Sequence, residues 1–100
     1  MRRRSDLNQA EIIGTLRRAG VSVVCLSSVG GGVPDVLCSV AGATCLLEVK
    51  NRNGRGSRFT PAEEHFISTW QGVIHVVETA EQALEVLGVR NCQVSQELKK

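Results

Sequence analysis

Three charged residues in a largely apolar stretch have the side-chain types that metal-assisted hydrolysis needs. Asp35 follows Pro34, and Glu48 precedes Lys50 by two positions. Mg²⁺ is commonly held by one or two carboxylates, with its remaining positions left to water and phosphate oxygens. A lysine beside it can neutralise the site, orient a water molecule or stabilise developing charge. The alternative is that Pro34-Asp35 forms a turn, and that Glu48 and Lys50 form a solvent-exposed surface of an edge hairpin.

Two predicted strands position these residues. They run over about 34–40 and 43–50 on either side of Ala41-Gly42, and a symmetric hairpin there pairs Asp35 with Glu48. Side chains alternate between faces along a strand, so one face is entirely apolar and forms the predicted core: Val36, Cys38, Val40, Ala43, Cys45, Leu47 and Val49. The other face carries every charge of the hairpin: Asp35, Leu37, Ser39, Thr44, Leu46, Glu48 and Lys50. A slip of one residue would bury these charges, so the pattern favours this register.

In this register the two carboxylates lie directly opposite each other. Like charges at such positions destabilise a sheet, because the two Cβ atoms are only roughly 4.5 to 5.5 Å apart. A divalent cation with oxygen ligands would compensate for the repulsion. The hairpin therefore predicts a Mg²⁺ site formed by Asp35 and Glu48.

The elements before the hairpin are a helix, a strand and a connection. The helix begins after Ser5 or Asp6, both good N-caps, and ends near Gly20. Residues 21–26 are β-branched and apolar and predict a buried strand, and residues 27–33 predict a flexible glycine-rich connection.

A second helix is predicted after the hairpin. Thr60 is its N-cap, Pro61 lies in its first turn, and Glu63 is placed for a capping box. The helix is expected to end at Gly72 and to direct three apolar side chains inward, namely Phe66, Ile67 and Trp70.

A strand and a third helix complete the chain. The strand covers 73–77, and the helix follows Thr79 and stops at Gly88, with Ala83, Leu84, Val86 and Leu87 inward. The order of helix, three strands, helix, strand and helix predicts an α/β fold, a mixed sheet flanked by helices. Residues 1–90 are interpreted as a single domain and 91–100 as a polar tail.

Composition limits the classes of function. Aromatic residues make up only 3% of the 100 residues, which leaves little for stacking of nucleic-acid bases and favours contacts with phosphates. The net charge is only +2, but the basic residues are concentrated in the first 58 positions. Arg52, Arg55 and Arg58 follow Lys50 in a predicted mobile loop over 51–59, either as phosphate contacts or as a solvated loop.

The cysteines and the apolar segments bear on location. Four cysteines lack paired CxxC spacing, which argues against a zinc site. Cys38 faces Cys45 closely enough for a disulfide, although a buried reduced pair is the expectation in a reducing compartment. No stretch has membrane-spanning length and the N-terminus lacks a signal-peptide pattern. We therefore expect a cytoplasmic or nucleoid-associated protein with no membrane partner, including a viral protein in its host's cytoplasm.

Three segments together resemble a known family. Gly32-Val33-Pro34-Asp35, Glu48-Val49-Lys50 and residues 58–63 are similar to the PD-(D/E)XK nuclease superfamily, and within it to the VRR-NUC branch of virus-type replication and repair nucleases. The resemblance implies a restriction-endonuclease-like αβββαβ core and phosphodiester hydrolysis with Mg²⁺ or Mn²⁺. It also implies that Asp35, Glu48 and the Val49 backbone carbonyl bind the metal and that Lys50 assists the attacking water.

The chain departs from the family pattern at two points. The family usually has Gln where this chain has Glu63, so a direct role for Glu63 in the site is provisional and the capping box is the favoured interpretation. An acidic residue of the first helix often completes the metal site, and the candidates are Glu11 and, less well placed, Asp6. Glu11 adjoins the apolar stripe, so it either points towards the sheet or is solvated.

Short members of this branch resemble Holliday-junction resolvases and act as homodimers. The resemblance therefore implies a structure-selective DNA endonuclease that acts on branched DNA as a homodimer. Two alternatives stay open: a nucleic-acid-binding module that has lost turnover, and a nuclease subunit of a larger replication or repair assembly.

Overall fold

The structure is a computed structural model that describes residues 4–50 and 58–89. Its elements follow the predicted order: α1 (Arg4–Arg18), β1 (Ser22–Cys25), β2 (Val36–Val40), β3 (Ala43–Val49), α2 (Pro61–Thr69), β4 (Ile74–Val77) and α3 (Ala80–Leu87). The four strands form one sheet in the order β1-β2-β3-β4. The α/β fold with a mixed sheet and flanking helices is therefore confirmed, and the predicted tail over 91–100 lies outside the described residues.

The predicted hairpin register is confirmed. Cys38 pairs with Cys45, and Val40 pairs with Ala43 at the end of the hairpin. Ala41 and Gly42 connect the strands with φ values of 55° and 82°. Positive φ at both central residues is the geometry of a type I′ turn, whose twist matches that of the flanking strands.

The fourth strand makes the sheet mixed. β1, β2 and β3 are antiparallel, whereas β4 is parallel to β3 and pairs Val49 with Val77. A parallel pair needs a crossover connection, and α2 lies within that connection. The Lys50 N–H donates to the Val77 carbonyl at 2.9 Å, which extends the β3-β4 pairing by one residue.

The core lies between one face of the sheet and the helices α1 and α3. It contains Ile12 and Leu16 of α1, Ala83 of α3 and the apolar face of the hairpin, where Val36, Cys38, Cys45 and Leu47 are all buried. Ala43, beside the turn, is the one member of that predicted face that is exposed. None of the described helices is long and apolar enough to cross a membrane.

Several boundaries and orientations differ from the prediction. β1 was expected to be buried, but it is an edge strand with a largely exposed surface, and Val24 is 52% exposed. Its apolar composition does not reveal that it has a neighbour on one side only. α2 ends at Thr69 rather than Gly72, so Trp70 is a C-cap and not an inward residue. Val86 of α3 was also expected inward and is exposed.

Candidate functional site

Asp35 is fixed at the start of the hairpin by the backbone of the opposite strand. If the β2-β3 register continues by two residues, Pro34 lies opposite Val49. Proline has no N–H to donate to the ladder, and β2 begins only at Val36. The Val49 N–H instead donates to Oδ2 of Asp35 at 2.8 Å. Pro34 thus offers the Val49 carbonyl no ladder donor, and beyond the end of the regular pairing the Asp35 side chain, rather than a backbone carbonyl, accepts from the Val49 N–H.

The same geometry orients the Val49 carbonyl. The N–H and C=O of one strand residue point towards the same neighbouring strand. Since the Val49 N–H points to Asp35, its carbonyl oxygen points to the same side of β3. That is the direction that a metal ligand beside Asp35 requires.

Glu48 is a buried carboxyl group close to other acids. The residue is only 3% exposed. Burial, followed by the charges of Asp35 and Glu63, raises the pKa of Glu48 to about 8, although the charge of Lys50 opposes this. In the absence of a cation the folded protein therefore favours a proton on Glu48 at neutral pH. Burial is the larger cause, and the charge of Asp35 adds the repulsion between carboxylates that the hairpin register predicts.

Lys50 is held in place by three polar contacts and one aromatic ring. Its Nζ donates to Oε1 of Glu63 at 2.9 Å and to the carbonyl of Arg58 at 3.0 Å, and it lies 3.4 Å from Oε2 of Glu48. It also lies 4.9 Å from the centre of the Phe59 ring. Burial alone would lower the pKa of Lys50, but the hydrogen bond to Glu63 and the two carboxylate charges outweigh burial and raise it. The ammonium group is therefore positively charged and immobilised.

Glu63 has two roles, of which the sequence predicted one. The capping box of α2 is confirmed: Oγ1 of Thr60 accepts from the Glu63 N–H at 3.1 Å, and the Thr60 N–H donates to Oε1 of Glu63 at 2.9 Å. The same Oε1 accepts the hydrogen bond from Lys50. Burial would raise the pKa of Glu63, but the hydrogen bonds from Thr60 and Lys50 outweigh it and lower the pKa. The contact joins Lys50 to a residue 13 positions away, so spacing in the sequence gave no signal for it.

The glycine-rich connection packs against the first turn of α2. Gly32 has a φ of 82°, and a Cβ atom built on it would clash with the backbone carbonyl of Ala62. Only glycine permits this approach together with that backbone conformation. The segment that leads to Asp35 is thereby fixed against the turn that carries Glu63.

The remaining predicted residues are not drawn into this cluster. Glu11 is exposed on α1. Arg58 is also exposed, and only its backbone carbonyl contacts Lys50. Arg52, Arg55 and the side chain of Asp6 lie outside what the structure describes. Over the described residues, no group of three or more His, Cys, Asp and Glu side chains is arranged to hold a metal ion. The roles predicted for Glu11, Asp6 and the three arginines therefore remain predictions.

Two carboxylates and one backbone carbonyl are the oxygen atoms that this cluster offers to a hard divalent cation. Mg²⁺ needs only one or two protein carboxylates, because it retains water and binds substrate phosphate. Asp35 and Glu48 provide two carboxylates close enough for one to raise the pKa of the other, and the Val49 carbonyl points to the same side. A cation there would relieve the repulsion that protonation of Glu48 otherwise relieves.

Comparison with models of protein families, with curated proteins and with solved structures gives no significant match. The resemblance to the VRR-NUC branch therefore stays a prediction that rests on the residues of the three segments.

Proposed function

We propose that this protein is a Mg²⁺-dependent nuclease that hydrolyses phosphodiester bonds in DNA. The observation that carries the proposal is the convergence of Asp35, Glu48 and Lys50 at the end of the hairpin. Lys50 Nζ lies 3.4 Å from Oε2 of Glu48, and Oδ2 of Asp35 accepts at 2.8 Å from the N–H of Val49, the residue between Glu48 and Lys50. A solvent-exposed ion pair, the alternative interpretation, is hard to reconcile with exposures of 3% for Glu48 and 7% for Lys50.

In this proposal the residues divide the work between binding and positioning. Asp35, Glu48 and the Val49 carbonyl hold the cation, for which Mn²⁺ is expected to substitute. When bound, Mg²⁺ would polarise a phosphate oxygen and lower the pKa of a water molecule. Lys50 donates a hydrogen bond to the attacking water or to a phosphate oxygen and offsets the negative charge that develops there.

Glu63 acts as a positioning residue for Lys50. Its Oε1 accepts from Lys50 Nζ at 2.9 Å and is itself held by the Thr60 N–H. The lysine is therefore fixed to the first turn of α2 as well as to its own strand. Precise placement of this kind is worth a large factor in rate, since a misplacement of about 1 Å can cost roughly 10²-fold.

DNA and a second copy of the chain are the proposed partners. Arg52, Arg55 and Arg58 follow Lys50 closely in the sequence and would contact phosphates that flank the cleaved bond. One such site in a chain of 100 residues cuts one strand, so a symmetric homodimer would cut the two strands of branched DNA. We place this activity in the cytoplasm or nucleoid.

A cleavage assay tests the proposal. Wild-type protein, Asp35→Asn and Lys50→Ala are incubated with four-way junction, flap, duplex and single-stranded DNA in the presence of Mg²⁺ or Mn²⁺. We expect the wild type to cut branched DNA, and each variant to lose about 10²-fold or more in rate. Cleavage that is absent with both metals, or that both variants retain, contradicts the proposal.

A binding module without turnover is the second candidate. Over the described residues no group of three or more His, Cys, Asp and Glu side chains is arranged to hold a metal ion, which is the observation that favours it. Tight binding of junction DNA without cleavage by the wild type identifies this case. Cleavage that appears only with added cell extract identifies the other alternative, a subunit of a larger replication or repair assembly.

A further inference from the structure

Two cysteines face each other across the hairpin that carries the candidate site. Cys38 and Cys45 are directly paired, and their Sγ atoms lie 3.7 Å apart as free thiols. Directly opposed residues of antiparallel strands have Cα atoms roughly 4.5 to 5.5 Å apart, within the range of about 4.4 to 6.8 Å that disulfides span. The two sulfurs need to approach by less than about 2 Å, because an S–S bond is about 2.05 Å long.

We propose that Cys38 and Cys45 form a modification site at which a peroxide converts the two thiols into an intramolecular disulfide. The thiolate of one cysteine attacks a peroxide oxygen, the O–O bond breaks, and a sulfenic acid forms with release of hydroxide. The sulfur of the second cysteine then attacks the sulfenic sulfur, and the S–S bond forms as a second hydroxide leaves. The two thiol protons convert both hydroxides to water, so two thiols and one hydrogen peroxide give one disulfide and two waters.

The surroundings of the two thiols favour one order of reaction. Cys45 is 9% exposed and Cys38 only 1%, so a small oxidant reaches Cys45 first. Burial, followed by the neighbouring Cys45, raises the pKa of Cys38 to about 12, which disfavours its thiolate. Cys45 therefore becomes the sulfenic acid, and Cys38 resolves it. Since Cys38 lies within hydrogen-bond range of Cys45, further oxidation of the sulfenic acid competes poorly.

The cross-link would act on the hairpin at a defined place. Cys38 lies three residues after Asp35, and Cys45 lies three residues before Glu48. A disulfide there fixes which residue of β2 faces which residue of β3, and so fixes the register on which the opposed carboxylates depend. The oxidation is independent of the proposed nuclease activity, because it needs only the two sulfurs and the oxidant.

Mass spectrometry after peroxide treatment tests the proposal. A Cys25→Ser/Cys92→Ser double variant leaves only the pair, and the wild type is treated in parallel and mapped by peptides in case the double variant fails to fold. With one equivalent of hydrogen peroxide we expect a monomer lighter by about 2 Da, the mass of two hydrogen atoms, in which neither thiol can be alkylated. Dithiothreitol should restore both the mass and the two alkylation sites.

Addition of Cys38→Ser to the double variant gives the matched control. It removes the resolving thiol, so Cys45 should accumulate as a sulfenic acid that dimedone traps, with no loss of mass. Three results overturn the proposal: both thiols of the pair remain open to alkylation, they oxidise to sulfinic or sulfonic acids instead of a disulfide, or the disulfide joins two chains.

Discussion

The backbone N–H of Val49 donates a 2.8 Å hydrogen bond to Oδ2 of Asp35. The regular pairing of β2 with β3 ends at Val36, and beyond that end the Asp35 side chain serves as the acceptor for the Val49 N–H. This contact places the carboxylate of Asp35 near that of Glu48, even though Asp35 itself precedes the first residue of β2. The hydrogen bond needs only an oxygen acceptor at position 35, whereas metal binding needs the charge. Substitutions at this residue can therefore separate the two roles.

Asp35→Asn should abolish metal binding and leave the fold intact. The amide oxygen can still accept from the Val49 N–H, but the negative charge is lost. A ligand that binds the folded state at 100 times its Kd stabilises it by about 2.7 kcal/mol. We expect saturating Mg²⁺ to raise the Tm of the wild type by several degrees and to leave that of Asp35→Asn unchanged. Asp35→Ala should in addition lower the Tm without metal, and equal Tm values for Asn and Ala would show that the hydrogen bond contributes nothing.

Glu48 should make the metal-free protein less stable as pH rises. Its folded pKa of about 8 lies above the usual 4.5, so the folded state binds the proton more tightly. The stabilisation is complete below about pH 4.5 and is lost as pH rises to about 8. The slope cannot exceed about 1.4 kcal/mol per pH unit for one proton. Urea unfolding in EDTA between pH 5 and pH 8 measures it.

Glu48→Gln is the control for this pH dependence. The amide is uncharged throughout, so the fall in the free energy of unfolding between pH 5 and pH 8 should become shallower. Glu63 has a lowered pKa and loses its contribution below about pH 4.5, and Lys50 has a raised pKa and loses its contribution only above its usual 10.5. Neither titrates within the chosen window. An unchanged slope in Glu48→Gln would assign the effect to other groups.

The hairpin was predictable because two independent signals coincide there. Alternating apolar residues specify the core face, and a two-residue turn with Gly42 fixes the centre, so that the register follows without any tertiary information. The capping box at Thr60 was equally visible, since it depends on residues three apart. Local chemistry and strict alternation are the features that a sequence displays directly.

Relationships between distant segments were not predictable in the same way. The position of β1 at the sheet edge depends on strand order, which its apolar composition does not encode. The contact between Glu63 and Lys50 depends on where the chain between them returns to the sheet. Burial of Glu48 and Lys50 also depends on what covers that face, which the alternation of residue types along β3 does not reveal.

Thr60 and Glu63 variants should separate the cap of α2 from the placement of Lys50. Thr60→Ala removes a side-chain acceptor of the cap but no contact of Lys50, so we expect a loss of about 1 kcal/mol in the free energy of unfolding with kcat unchanged. Glu63→Ala should lower kcat by roughly 10²-fold because Lys50 is no longer positioned. Glu63→Gln keeps an oxygen acceptor and should retain most of kcat. If Glu63→Ala changes only KM, Glu63 does not position Lys50.

Gly32→Ala should be much more damaging than Gly31→Ala. Both glycines have positive φ, 82° and 68°, so each substitution introduces a backbone cost of roughly 1 to 2 kcal/mol. A Cβ atom at position 31 meets nothing within 4 Å, whereas one at position 32 clashes with the Ala62 carbonyl. We expect Gly32→Ala to cost about 1 to 3 kcal/mol more in urea unfolding, as is typical of overpacking. Equal costs would mean that the glycine connection does not pack against α2.

Arginine variants should reveal the phosphate contacts through salt dependence rather than through affinity alone. Each phosphate that a side chain neutralises contributes about 0.9 to the slope of log K against log salt concentration. Arg52→Ala, Arg55→Ala and Arg58→Ala should each reduce the magnitude of that slope by about this amount for junction DNA. Arg58→Ala keeps the backbone carbonyl that accepts from Lys50, so its effect should lie in binding and not in kcat.

Arg18→Ala is the matched control for the arginine series. Arg18 is exposed in the last turn of α1. Asn8, near the other end of the helix, donates a hydrogen bond to the Glu78 carbonyl. Glu78 directly follows Val77, whose carbonyl accepts from the Lys50 N–H, so Asn8 marks the end of α1 that is nearer to the candidate site. Ten residues of helix separate the two positions by about 15 Å, so removal of this charge should leave the slope nearly unchanged. If Arg18→Ala lowers the slope as much as Arg58→Ala does, the chain attracts DNA through its overall charge, and the basic residues after Lys50 have no special part in binding.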